Sequence, residues 1–259
     1  MAEPLIRFVD VHKSFGPKRI YTGLDLSVYE GETLVILGGS GVGKSVMLKM
    51  LIGLLPVDRG RILFRGQDVA KMREDELRVV RRQIAMIFQA SALFDSISVG
   101  ANVAYGLHEH HYATMSPAEI TERVAWALSL VGLPGTEAMR PGDLSGGMKR
   151  RVGLARAIAL HPEVLLWDEP TTGLDPINTA RINHLMRGMQ RALKATSMVV
   201  THDMKSAFDV ADRIAMVHRG RIILECPKDE VRAVADPRVR DFIDGVAPPD
   251  ETLDSLLSD

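Results

Sequence analysis

From Ile6 to Val11, and again around Leu24 to Val28, apolar residues alternate with polar ones, with Ser14-Phe15-Gly16-Pro17-Lys18 between the two runs. A period of two broken by glycine and proline predicts an antiparallel strand pair joined by a turn. Thr33-Leu34-Val35-Ile36-Leu37, Ile84-Ala85-Met86-Ile87-Phe88, Val164-Leu165-Leu166-Trp167 and the strand from Thr196 to Thr201 carry little or no alternation. Such short continuous runs fit strands buried on both faces. A further strand is read from Arg61 to Arg65, with a turn at Gly66-Gln67-Asp68. Helical spacing appears from Val46, in the charged stretch from Lys71 to Arg82, and across most of Asn102 to Leu133. It returns from Lys149 to Leu160, from Thr179 to about Lys194 (with Ile182, Leu185, Met186, Met189 and Leu193 on one face) and from Lys205 to Ala211. A hairpin around His218-Arg219-Gly220 follows, and from about Asp236 the chain reads as a polar, proline-bearing appendage.

The chemistry sits where these runs end. Gly38-Gly39-Ser40-Gly41-Val42-Gly43-Lys44-Ser45 lies between a strand and a helix, the context that the phosphate-loop spacing requires. Its glycines let backbone N–H groups turn onto phosphate oxygens, the helix N-terminus adds its partial positive charge, and Lys44 adds a full one. Ser45 is placed to hold Mg²⁺. The strand from Val164 terminates in Asp168 and Glu169, at the end of a parallel sheet where ligands are handled. Asp168 is read as reaching Mg²⁺ directly or through water, and Glu169 as orienting or deprotonating an attacking water. His202 ends another strand within reach of a terminal phosphate, and Gln89 ends the strand from Ile84, where an amide can reach a metal or a water. Ser145-Gly146-Gly147 opens a helix, a second anion-binding arrangement. Phe15 is either an exposed ring able to stack on a nucleotide base or a core residue. His108, His110 and His111 lack accompanying cysteines or patterned carboxylates and are read as a solvated helix end.

Composition narrows the setting. The 259 residues are 46% hydrophobic, ample for a core. With 32 basic against 33 acidic side chains the net charge is -1, so no global field draws the chain to nucleic acid, and none is expected as a partner. One cysteine, Cys226, allows no intramolecular disulfide. No apolar stretch approaches the roughly 18 residues of a membrane span, and the first residues lack a signal-peptide pattern. The expectation is a cytoplasmic chain that needs a partner for any membrane role.

The phosphate loop, Gln89, Leu144-Ser145-Gly146-Gly147, Asp168-Glu169, Asp175 and His202, in that order, resemble the nucleotide-binding subunit of ATP-binding-cassette (ABC) transporters across about Leu5 to Pro227. The resemblance implies an α/β fold: a P-loop NTPase with a RecA-like core, an antiparallel β subdomain and an α-helical subdomain at about 90–160. Residues 1–235 form the ATPase domain and 236–259 a C-terminal extension. It also implies a head-to-tail dimer with ATP and Mg²⁺ between the phosphate loop of one copy and the Ser145 helix of the other. Lys44 and Ser45 then serve the phosphates and the metal, Gln89 the metal and the permease signal, Glu169 the water, and His202 the γ-phosphate. Phe15 takes the adenine-stacking position, and Asp175 the dimer seam.

The stretches Phe88 to Asp95, Asn102-Val103-Ala104-Tyr105, Leu144 to Arg151 and Asp236 to Gly245 further resemble the ATPases of Mla phospholipid-trafficking systems, with Met148 where the superfamily commonly has glutamine. That implies a peripheral subunit on the cytoplasmic side of the inner membrane. Its partners are a permease, a periplasmic MCE lipid-binding subunit and, in some members, a small STAS-domain protein. The alternatives are a related MCE-type transporter of sterols, other lipids or solvents, and a soluble cassette acting in DNA repair or translation. The last usually shows a long coiled-coil insertion or a second cassette, and this sequence has neither.

Overall fold

A computed structural model describes residues 3–87, 93–111 and 115–246 of the chain; the side chains of His110 and His111 also lie outside this description. Gln89 falls outside the described residues, as do the rest of 88–92 in the Phe88 to Asp95 stretch and 247–259 in the C-terminal one.

The first alternating runs form β1 (Ile6–Phe15) and β2 (Lys18–Val28), closed by the two-residue turn Gly16-Pro17. The strands run further toward the turn than the alternation indicated. β3 (Thr33–Leu37) leads through the glycine-rich loop into α1 (Lys44–Leu51). β4 (Arg59–Phe64) and the short β5 (Gln67–Asp68) complete a four-stranded sheet of order β2-β1-β4-β5, antiparallel throughout.

The charged stretch after it begins as a 3₁₀ turn, and α2 covers only Glu74–Gln83. The difference lies at Arg73, whose backbone N–H is taken by the Glu76 carboxylate and starts the helix there. β6 (Ile84–Ile87) follows directly.

α3 (Val99–His111) and α4 (Pro117–Leu130) make up the helical insertion, and the Ser116–Glu119 capping box starts α4. α5 (Gly146–Ile158), β7 (Val164–Asp168), α6 (Pro176–Leu193), β8 (Thr196–Thr201) and α7 (Met204–Val210) then lead to the hairpin of β9 (Arg213–His218) and β10 (Arg221–Pro227). α6 starts three residues before Thr179, because the Asp175 carboxylate caps it and Pro176 fits its first turn.

The larger sheet has the order β10-β9-β3-β8-β7-β6 and is parallel except for β10. Its strands read as unbroken apolar runs because alternate residues enter two different cores. Val35, Leu37, Leu165, Trp167 and Val199 pack on the side of the helical insertion and α6. Leu34, Ile36, Leu166, Met198 and Val200 pack with α1, α2 and the antiparallel sheet. At roughly 25 cal/mol per Å² of apolar area removed from water, burial on both faces makes this sheet the rigid base of the molecule.

The segment from Asp236 is less detached than its polarity suggests. α8 (Pro237–Asp244) buries Val239 completely and rests Phe242 and Ile243 on the core. Among the described residues no helix is long and apolar enough to cross a membrane.

Candidate nucleotide site

The carboxyl ends of β3, β7 and β8 open on one side of the parallel sheet, and the loops there carry the reactive side chains. Gly43 caps α1 in the left-handed region (φ 100°), and no side chain caps the helix N-terminus. Its first N–H groups have no intrahelical acceptor and face whatever the loop encloses. Lys44 is buried, with its ammonium 2.8 Å from the Gly38 carbonyl and 2.9 Å from that of Gly39. Ser40 and Gly41 are exposed, and Val42 is half-buried against the core.

Ser45 donates its hydroxyl hydrogen to Asp168 Oδ1, which joins the start of α1 to the end of β7. Glu169, the next residue, takes a left-handed backbone conformation (φ 49°), sparsely populated for a residue with a side chain. Its Oε1 lies 3.3 Å from Lys44 Nζ and its Oε2 3.0 Å from His202 Nδ1, while the Thr172 hydroxyl donates to Oε2 at 3.1 Å. Burial pushes the Glu169 carboxyl up. The hydrogen bond from His202 and the charges of Lys44 and His202 outweigh that and leave it below the ordinary glutamate range. The result is a half-buried carboxylate held ionised beside a cation and an imidazole.

Five of the candidate residues are thus tied together: Lys44, Ser45, Asp168, Glu169 and His202. Gly38 and Gly39 join them through Lys44, whereas Phe15, Ser145, Gly146, Gly147 and Asp175 stand apart. Ser145 caps α5 through the Met148 N–H, and Gly146 and Gly147 are exposed beside it. Asp175 is exposed and spends its carboxylate on the α6 cap. Phe15 is an exposed ring with Lys13 Nζ 5.2 Å from its centroid, which decides its two readings against the core. No hydrogen bond or ion pair among the described residues joins Phe15, the Ser145–Gly147 turn or Asp175 to the five. His108 belongs to no cluster of three or more metal-ligating residues among those described.

Sequence reasoning passed over Tyr21, Thr172 and Arg150. Arg150, on α5, donates to the carbonyl of Pro170, one residue past Glu169, and so links the Ser145 helix to the β7 end. In the sequence Arg150 stands only as one of three consecutive basic residues, Lys149-Arg150-Arg151.

The donor set fits a magnesium-bound triphosphate. An uncapped helix end and a buried ammonium suit phosphate oxygens. Ser45 and Asp168 supply two hard oxygens at one point, the small number that Mg²⁺ takes from protein when phosphate and water complete its shell.

The sequence model of the ABC transporter family matches residues 21–172. The chain belongs to that family. It is an ABC transporter ATPase, built on the mixed α/β cassette fold. Among solved structures it is similar to cbiO1 from Clostridium perfringens, part of the ABC transporter complex cbiONQ, with a TM-score of 0.82 and 30% identity over 90% of this chain and 92% of that one. It is also similar to the cassette MJ0796, solved as a dimer in a post-hydrolysis state bound to ADP and Pi, with a TM-score of 0.76 and 29% identity over 86% and 98%.

Among curated relatives of this ABC ATPase, the Haemophilus influenzae intermembrane phospholipid transport system ATP-binding protein MlaF is 39% identical over 95% of this chain and 92% of its own length. The probable ribonucleotide transport ATP-binding protein mkl of Mycobacterium tuberculosis is 41% identical over 90% of this chain. The present chain spans 64% of that relative's length.

Proposed function

We propose that this ABC ATPase powers phospholipid movement between the two membranes of a diderm bacterium, working from the cytoplasmic face of the inner membrane. Its partners in this reading are a permease and an MCE lipid-binding subunit, joined in some members by a small STAS-domain protein. The observation that carries it is the near full-length match to the phospholipid-transport ATPase of Haemophilus influenzae, 39% over 95% of this chain.

Within that reading the site works as half of a composite. The loop from Gly38 through Gly39, Ser40, Gly41, Val42 and Gly43 wraps the phosphates, and Lys44 balances their charge. Ser45 and Asp168 hold Mg²⁺, together with Gln89. When bound, the metal neutralises charge on the terminal phosphates. Glu169 orients the attacking water and accepts its proton, and His202 holds Glu169 while facing the γ-phosphate. Phe15 stacks on the adenine. Ser145, Gly146 and Gly147 lie exposed at the start of α5, and Asp175 lies exposed beyond the β7 end. Both features support their use across a seam with a second copy.

Reconstituted complex in vesicles tests the reading: wild-type complex moves labelled phospholipid in an ATP-dependent way, and Lys44→Ala or Glu169→Gln complex does not. ATP-dependent transport by either variant would refute the assigned chemistry. The 41% identity to the mycobacterial relatives favours a second reading, ribonucleotide cargo, which uptake of labelled nucleotide in place of lipid by the same vesicles would establish.

A further inference from the structure

Tyr21 lies on β2, 1% exposed, in the core shared by the antiparallel sheet and α1. An apolar side chain would satisfy that position, yet its hydroxyl donates to the Gly43 carbonyl at 2.5 Å. The same carbonyl accepts from Val46 N–H at 2.8 Å and Met47 N–H at 3.2 Å, so three donors converge on one oxygen. Burial holds the phenol well above the usual tyrosine range, which keeps it a neutral donor at any working pH.

The consequence follows from peptide planarity. In a trans peptide the carbonyl of one residue and the N–H of the next point in opposite directions. With the Gly43 carbonyl drawn down into α1, the Lys44 N–H must point out of the helix end, into the hollow of the glycine-rich loop. Gly43 itself has little room to shift, because a Cβ there would lie 2.3 Å from Ile20 Cγ2 and 3.2 Å from the Tyr21 hydroxyl. β2 is held in turn by the tip of the β9–β10 hairpin, where the Gly220 carbonyl accepts from Thr22 N–H at 3.1 Å.

We propose that Tyr21 is a positioning residue of the phosphate site: its hydroxyl fixes the Gly43–Lys44 peptide plane and with it the aim of the Lys44 amide at the nucleotide's phosphates. The proposal rests on the reading that the Gly38–Ser45 loop holds those phosphates. Tyr21 touches no nucleotide and acts through Gly43.

The test uses the full chain with Tyr21→Phe, which keeps the ring and leaves the Gly43 carbonyl two donors, so that folding survives. Calorimetric titration with Mg-ATP and Mg-GTP should show both Kd values raised about 3- to 10-fold, the range of one hydrogen bond. The unfolding midpoint should move by less than about 4 °C. In ¹⁵N-labelled protein the ATP-induced shift of the Lys44 amide resonance should shrink. A lowered midpoint with unchanged affinities and an unchanged Lys44 shift would mean a purely structural hydroxyl and would overturn the proposal. Lys44→Ala separates the two levels: if it loses ATP while Tyr21→Phe binds as wild type, only the positioning role fails. If Lys44→Ala binds ATP as wild type, the phosphate-site reading fails and takes the proposal with it.

Discussion

The carboxylate of Glu169 lies 3.3 Å from the ammonium of Lys44, so the group read as the base and the group read as the phosphate cation form one ion pair between the end of β7 and the start of α1. The pair separates two effects experimentally. Glu169→Gln keeps a side chain of the same shape and leaves Lys44 held by the Gly38 and Gly39 carbonyls. ATP hydrolysis by the assembled complex should fall at least about 100-fold, the scale of a lost general base, while ATP affinity changes little. Steady-state turnover and equilibrium binding measured on the same preparation check both halves.

The Glu169 carboxyl should titrate below the ordinary glutamate value of about 4.3. Because the folded-state value is the lower one, ionised Glu169 contributes stability that is present above the unfolded value and fades as pH falls through the folded value. A ¹³C-carboxyl NMR titration of the full chain reads the midpoint directly. A midpoint above that of a free glutamate would mean that burial prevails over His202 and Lys44.

At the Ser45–Asp168 contact, Asp168→Asn keeps the hydrogen bond to the hydroxyl but removes the anionic oxygen. The Mg²⁺ concentration needed for half-maximal hydrolysis should rise about tenfold or more. Metal-free ATP binding should stay near wild type. An unchanged magnesium requirement would remove Asp168 from the metal site.

The parallel sheet was readable because burial on both faces leaves an uninterrupted apolar run, and the phosphate loop because strand, glycines, lysine and serine stand in one register. Their convergence with Glu169 and His202 follows from one rule, that parallel strands end on the same side. What escaped reading has equally physical causes. Helix starts were displaced at Glu74 and Pro176 because a cap, and not the hydrophobic period, sets them. Residues 236 onward look polar since an eight-residue helix has too few turns to show a stripe, although Val239, Phe242 and Ile243 keep the i, i+3, i+4 spacing. The Tyr21–Gly43 bond spans 22 residues and leaves no trace in local pattern.

Gly220 tests how the hairpin supports the loop. It sits at φ 78°, and a Cβ there would lie 2.7 Å from the Ile20 carbonyl oxygen. Gly220→Ala should cost about 2–4 kcal/mol, from left-handed strain and contact with rigid backbone together. Urea unfolding measures the cost, and a change under about 0.5 kcal/mol would show that β2 yields freely at this point.

The central claim is that the nucleotide is enclosed by two copies, with Lys44 from one and Ser145 from the other. Light scattering on Glu169→Gln protein, which should bind ATP without consuming it, tests this most directly. Addition of Mg-ATP should double the molar mass, and Ser145→Arg in the same background should abolish the doubling while leaving ATP bound. A mass that ignores ATP, or a doubling indifferent to Ser145→Arg, would contradict the account.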